Sequence, residues 1–140
     1  MEKVFEWNDC GVCTNYTLTE VINEKYFSAK VETAMLDGRW LQGYRWQHKV
    51  DDYESACCGI SRDYVKRTFD TEDDAIQFTI ENIFIPRLQR FIESTLSRRT
   101  RYDEDGNEIP VNVSAKVKVY ERYIEKCRAF IESKKQLTLF

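Results

Sequence analysis

The chain reads as an α+β domain: an antiparallel three- to four-stranded sheet, helices packed on one of its faces, and a long C-terminal helix. Three observations predict this class. Two alternating runs between Phe27 and Gln47 are joined by Asp37-Gly38, the dipeptide that favours the tight primed turns of β-hairpins. The acidic stretch Asp70-Thr71-Glu72-Asp73-Asp74 precedes an apolar stripe of helical period. A second helical period runs from Ser114 toward Lys135.

With 140 residues, 42% hydrophobic and 32% charged, the chain can bury one core without a metal or disulfide staple. The expected organisation is a single domain over 1–135, made of an arm (1–25), the sheet (26–67), helices (70–96) and a C-terminal helix (113–135), followed by a tail (136–140). The net charge of -3 gives no global attraction to nucleic acid or an anionic membrane, so any such affinity must be local. The start, Met1 to Trp7, lacks the apolar run of a secretory signal, so a cytoplasmic location is expected. In that reducing compartment the odd count of five cysteines points to free thiols.

Taken in order, Thr14 to Val21 has the β-branched and aromatic content of a short edge strand. In the first hairpin arm a two-residue period puts Phe27, Ala29, Val31, Thr33 and Met35 on one side, with Ser28, Lys30 and Glu32 on the other. In the second arm Trp40, Tyr44 and Trp46 share a face; burial under a helix is favoured for them over stacking on nucleic-acid bases. Asp51 and Asp52 mark a turn. The small, apolar Ser55-Ala56-Cys57-Cys58-Gly59-Ile60 then has the profile of a buried third strand, with Gly59 permitting a bulge or close approach. Thr71 is placed to cap a helix whose stripe includes Ala75, Ile76, Phe78, Ile80, Ile83 and Phe84. Pro86 predicts a kink or break near Ile85 before a second piece through Leu88, Phe91, Ile92 and Leu96. Tyr102 to Pro110 is acidic and turn-forming, a solvated loop. Val117, Tyr120, Ile124, Cys127 and Ile131 step by three and four along the last helix, which should end near Lys134 and Lys135.

The most specific functional signal is the closing Gln136-Leu137-Thr138-Leu139-Phe140. It resembles the QLxLF peptide by which many bacterial and phage proteins dock on the replicative DNA sliding clamp. The resemblance covers five of 140 residues. It implies that Gln136 hydrogen-bonds at the rim of a groove on the clamp while Leu137, Leu139 and Phe140 fill its apolar pocket. The physics of the residues points the same way: large apolar side chains at a chain end, just after two lysines, leave surface that wants a partner. The alternative is a tail packed on its own core.

A second candidate is the basic run Arg87, Arg90, Arg98, Arg99 and Arg101, set against the single acid Glu93, a local phosphate-binding surface. Asp103, Glu104 and Asp105 follow at once and can neutralise it. Cys10-x-x-Cys13 has the spacing of half a zinc site and Cys57-Cys58 offers two more thiols, but adjacent strand residues point to opposite faces, so no metal is assigned. His48, the only histidine, reads as a surface residue at a strand end and leaves a Cys–His dyad as the sole imidazole-based nucleophile option. Asp51-Asp52 and Glu72-Asp73-Asp74 are explained by a turn and a helix cap, and no phosphate loop, nucleophile elbow or strand-borne acid–lysine nuclease pattern is present, so neither catalytic residues nor a cofactor are assigned. The sequence therefore suggests a non-enzymatic accessory protein of bacterial, phage or mobile-element DNA metabolism, partnered by the sliding clamp and, through the arginines, by DNA. The alternative is an interaction or inhibitor domain whose tail is purely structural.

Overall fold

The computed structural model describes residues 3–50, 53–97, 100–110 and 113–138. In chain order these form β1 (Thr17–Asn23), β2 (Phe27–Leu36), β3 (Arg39–His48), β4 (Glu54–Cys58), α1 (Glu72–Thr79), a π-helical turn (Ile80–Phe84), α2 (Ile85–Ser97), the short strands β5 (Thr100–Tyr102) and β6 (Glu108–Pro110), and α3 (Ser114–Thr138). The main sheet is antiparallel with the order β1-β2-β3-β4, and the helices cover one of its faces, as the α+β class requires.

The hairpin is the frame. Asp37 and Gly38 both take positive φ, 52° and 78°, the backbone of a two-residue primed turn. That turn sets the register from Leu36↔Arg39 back to Phe27↔His48. On the helical side Phe27, Ala29 and Val31 are buried with Trp46, and Phe27 stacks on Tyr123 of α3 at 4.3 Å between ring centroids. Of the β3 aromatics expected under a helix, Trp46 is buried there, meeting Phe84 at 5.7 Å, and Tyr44 is half-buried against the same ring at 6.2 Å, whereas Trp40 is half-buried and meets Phe5 of the N-terminal arm at 6.0 Å. Glu24 accepts from Arg122 (3.2 Å) and Lys126 (2.7 Å), which ties the β1–β2 turn to α3.

Thr71 caps α1 as the sequence predicts: its Oγ1 accepts from the Asp74 amide at 3.1 Å, with Glu72, Asp73 and Asp74 in the positively polarised first turn. Replacing Thr71 by alanine should lower the melting temperature by about 3–5 °C, the equivalent of ~1 kcal/mol, while serine at the same place should leave it unchanged.

Several expectations are corrected. Near Pro86 the expected interruption takes the form of a π turn rather than a chain break: regular α-helix stops at Thr79 and restarts at Ile85, whose N–H reaches back to the Ile80 carbonyl. The loop 102–110 includes a second small hairpin, β5–β6, whose turn is tied by Asp103 Oδ1 accepting from the amides of Asp105 (3.0 Å) and Asn107 (2.8 Å), with Gly106 at φ 81°. Strand β4 is an exposed edge of the sheet rather than a buried strand: Cys57 and Cys58 are both exposed. The close approach lies at Gly43, where a Cβ would overlap the Cys58 carbonyl oxygen; at Gly59 the nearest atom to a Cβ is Val12 Cγ1, at 3.9 Å. His48 stands at a strand end but is buried, covered by Phe91 at 4.5 Å and Tyr120 at 6.3 Å between centroids. Asp51 and Asp52, expected at a turn, lie outside the described residues.

The sheet's other face is also covered at one end. Chain segments before β1 and after β4 cross it through the bridges Trp7↔Cys13 and Val12↔Ser61, and Cys13, Ala34, Leu41 and Ile60 form a second core supported by Phe5, Trp7 and Tyr16. Glu32, expected to point outward, is buried there at 3% exposure.

Candidate functional site

Helix α3 presents Tyr120, Tyr123, Ile124, Cys127 and Ile131 to the core, the period read from the sequence. It does not stop at Lys135. No glycine or proline follows to end it, and the helical backbone continues through Gln136, Leu137 and Thr138. Gln136 is exposed; Leu139 and Phe140 lie outside the described residues. Beside the last turns of α3 is a groove of about 310 Å³, lined by Thr71, Asp73, Ile76, Phe130, Ile131 and Lys134. It is largely apolar, and its rim is bridged by Lys134 and Asp73 at 3.9 Å.

Among the described residues, Arg87 and Arg90 lie on α2 and Arg101 lies in β5. Arg87 is half-buried, its Nε 3.4 Å from Glu54 Oε1 and its guanidinium 5.5 Å above the Trp46 ring, so it links α2 to the edge strand. Arg90 is exposed on α2. Arg98 and Arg99 lie outside the described residues, and Arg101 sits in β5, its backbone paired with that of Ile109.

The cysteines divide by burial. Cys10, Cys57 and Cys58 are exposed, whereas Cys13 and Cys127 are buried. Burial pushes the Cys127 thiol up to about 12 and the Cys13 thiol upward, so neither is a thiolate nucleophile at neutral pH. Among the described residues no three His, Cys, Asp or Glu side chains are grouped to hold a metal. His48 Nε2 lies 3.8 Å from Glu54 Oε2, near the same carboxylate that holds Arg87.

A cluster that the sequence did not suggest occupies the sheet face opposite the helices. A groove of about 570 Å³ is lined there by Tyr16, Lys30, Glu32, Arg45, Cys57 and Cys13, among others. Arg45 Nε donates to Glu32 Oε2 at 2.8 Å, and its Nη2 donates to the Tyr16 hydroxyl. The registers Lys30↔Arg45 and Arg45↔Cys57 line these side chains across three strands. Burial pushes the Glu32 carboxyl up to about 7, so this buried acid is poised between its two charge states near neutral pH. The one sign of it in the sequence is the N-terminal arm, whose Phe5, Trp7 and Tyr16 need an apolar surface to cover.

Among the described residues no helix is long and apolar enough to cross a membrane. Comparison of the chain with known protein families, curated proteins and solved structures finds no match.

Proposed function

We propose that this chain is a non-enzymatic accessory protein of bacterial, phage or mobile-element DNA metabolism that docks on the DNA sliding clamp through Gln136, Leu137, Leu139 and Phe140. The observation that carries the reading is the pentapeptide itself, whose first three residues are the last of a helix whose Tyr120-to-Ile131 side is anchored in the core. Gln136 is exposed, as a rim hydrogen-bonding group requires. Docking would raise the local concentration of the globular body at replicating DNA without any further contact. Arg90 and the run up to Arg101 belong to the same reading as a local DNA contact; Arg87 is less available, because Glu54 and Trp46 hold it.

A second reading, an interaction domain with a structural tail, is favoured by one feature: α3 continues helically through Thr138 beside an apolar groove of its own domain. Surface-immobilised bacterial sliding clamp separates the two. The full-length chain should bind, and chains lacking 136–140 or carrying Leu139→Ala with Phe140→Ala should bind about tenfold more weakly or worse. Equal recovery of all three would remove the docking reading and leave the structural one.

A further inference from the structure

We propose that the loop 61–68, together with the cleft beside it, binds single-stranded nucleic acid, with Tyr64 as a stacking platform and Arg62, Lys66 and Arg67 as phosphate contacts. The inference deepens the proposed function and rests on it for its biological setting.

Both ends of the loop are fixed. At one end the Arg62 amide donates to the Gly11 carbonyl at 2.9 Å and Ser61 bridges Val12; at the other, Phe69 and Trp40 exchange backbone hydrogen bonds of 2.9 Å. Arg39 adds a bond of 3.0 Å from its Nε to Thr68 Oγ1 and an ion pair with Asp70. What stands out between these anchors is Tyr64, at 83% exposure among the most exposed large side chains, followed by the exposed Val65. An aromatic ring held in water on a tethered loop has both faces open to a flat partner.

Within the loop cations outnumber acids three to one. Arg62, Lys66 and Arg67 are exposed, and no carboxylate among the described residues pairs with Arg62 or Lys66. One acid, Asp63, shares the loop; it is exposed, and its carboxylate lies against the Gly11 backbone, where a Cβ would overlap its oxygen. Arg67 stacks over Phe78 at 4.7 Å, which positions its guanidinium on the wall of the cleft.

The cleft itself, about 450 Å³, is lined by Leu41, Gln42, Ile60, Tyr64, Lys66 and Phe78 among others. Its apolar lining suits the face of a base. Gln42 brings a side-chain amide to this wall, with its Oε1 2.8 Å from Thr79 Oγ1, and an amide can both donate to and accept from a base edge. Stacked bases of a duplex offer Tyr64 no face to meet, whereas an unpaired strand does, so the chemistry selects single strands.

Fluorescence anisotropy with the full-length chain and a labelled oligothymidylate of about 15 nucleotides tests this, against a duplex of the same length and across a salt series. The single strand should bind more tightly than the duplex. Tyr64→Ala should weaken it by about tenfold and Tyr64→Phe, which keeps the ring, should not. Arg62→Ala combined with Lys66→Ala should flatten the log–log salt dependence by about 1.4, near 0.7 for each phosphate that the removed cations neutralise. Undetectable binding, unchanged binding by Tyr64→Ala, or a duplex bound as tightly as the strand would each overturn the inference. No clamp is present in this assay, so its failure is separate from failure of the docking experiment.

Discussion

Gly43→Ala should destabilise the protein by about 3 kcal/mol and loosen the β4 edge, although the substitution adds a single methyl group. The new Cβ would overlap the Cys58 carbonyl oxygen, a backbone atom that no side-chain rotation can move aside. Strand β3 pairs with β4 over only five residues, from Tyr44↔Cys58 to His48↔Glu54. Relief therefore comes from separating the strands at that end, which exposes the paired amides. Urea unfolding measures the loss, and amide exchange in β4 should accelerate more than in β1. Gly59→Ala is the control: its backbone φ is not positive and the nearest atom to its Cβ is at ordinary contact distance, 3.9 Å, so that variant should be neutral or slightly stabilising. Equal effects at the two glycines would sink the argument.

Glu32→Gln should stabilise the protein at pH 8 by about 2 kcal/mol and change nothing near pH 4. Two effects compete at this carboxyl. Burial disfavours its charged form, while the Arg45 guanidinium at 2.8 Å favours it. The Glu32 side chain is 4% exposed and the Arg45 side chain 53%, so water screens the arginine but cannot hydrate the acid. Burial wins, and the carboxyl rises from 4.5 to about 7. The groups facing it are Arg45 from β3, Cys13 and Tyr16 from the N-terminal arm, and Lys30 from β2; of these the Cys13 thiol is neutral at such pH. Between pH 4.5 and 7 the folded state holds a proton that the unfolded chain has released, so wild-type stability falls as pH rises through that window and is flat above it. The amide has no charge to desolvate and escapes the loss. Thermal melts of both chains from pH 4 to pH 8 would show the gap opening with pH; a gap that closes, or a Gln variant less stable at pH 8, would mean that Arg45 dominates.

Much of the fold is legible in the sequence because its signals are local. Asp37-Gly38 demands positive φ at two successive residues, and alternation in the flanking arms then determines which side chains share a face. Thr71 caps α1 through an atom three residues away, and the stripe of α3 depends only on its own period. The same dipeptide at Asp105-Gly106 closes β5–β6, yet its flanks are charged rather than alternating and so carry no strand signal. Between Lys135 and Thr138 no glycine or proline interrupts α3, and the helical backbone continues.

Other features depend on who meets whom across long stretches of chain. Nothing adjacent to Glu32, His48 or Arg87 marks them as enclosed; the first is covered by the arm that precedes β1, the second by α2 and α3, and the third is drawn to Glu54 and Trp46. Cys57 and Cys58 read as buried because they are small and apolar, but they stand on the edge strand β4, which has a neighbour in the main sheet on one side only. By itself the sequence determined the strands of the hairpin, the capped start of α1, the buried stripe of α3 and the identity of the terminal peptide, all set by backbone preference and short-range periodicity. Only the tertiary structure decided which polar groups are sealed from water, which cations are drawn into ion pairs and which strand is an edge, because desolvation and ion pairing depend on distances between residues far apart in the chain.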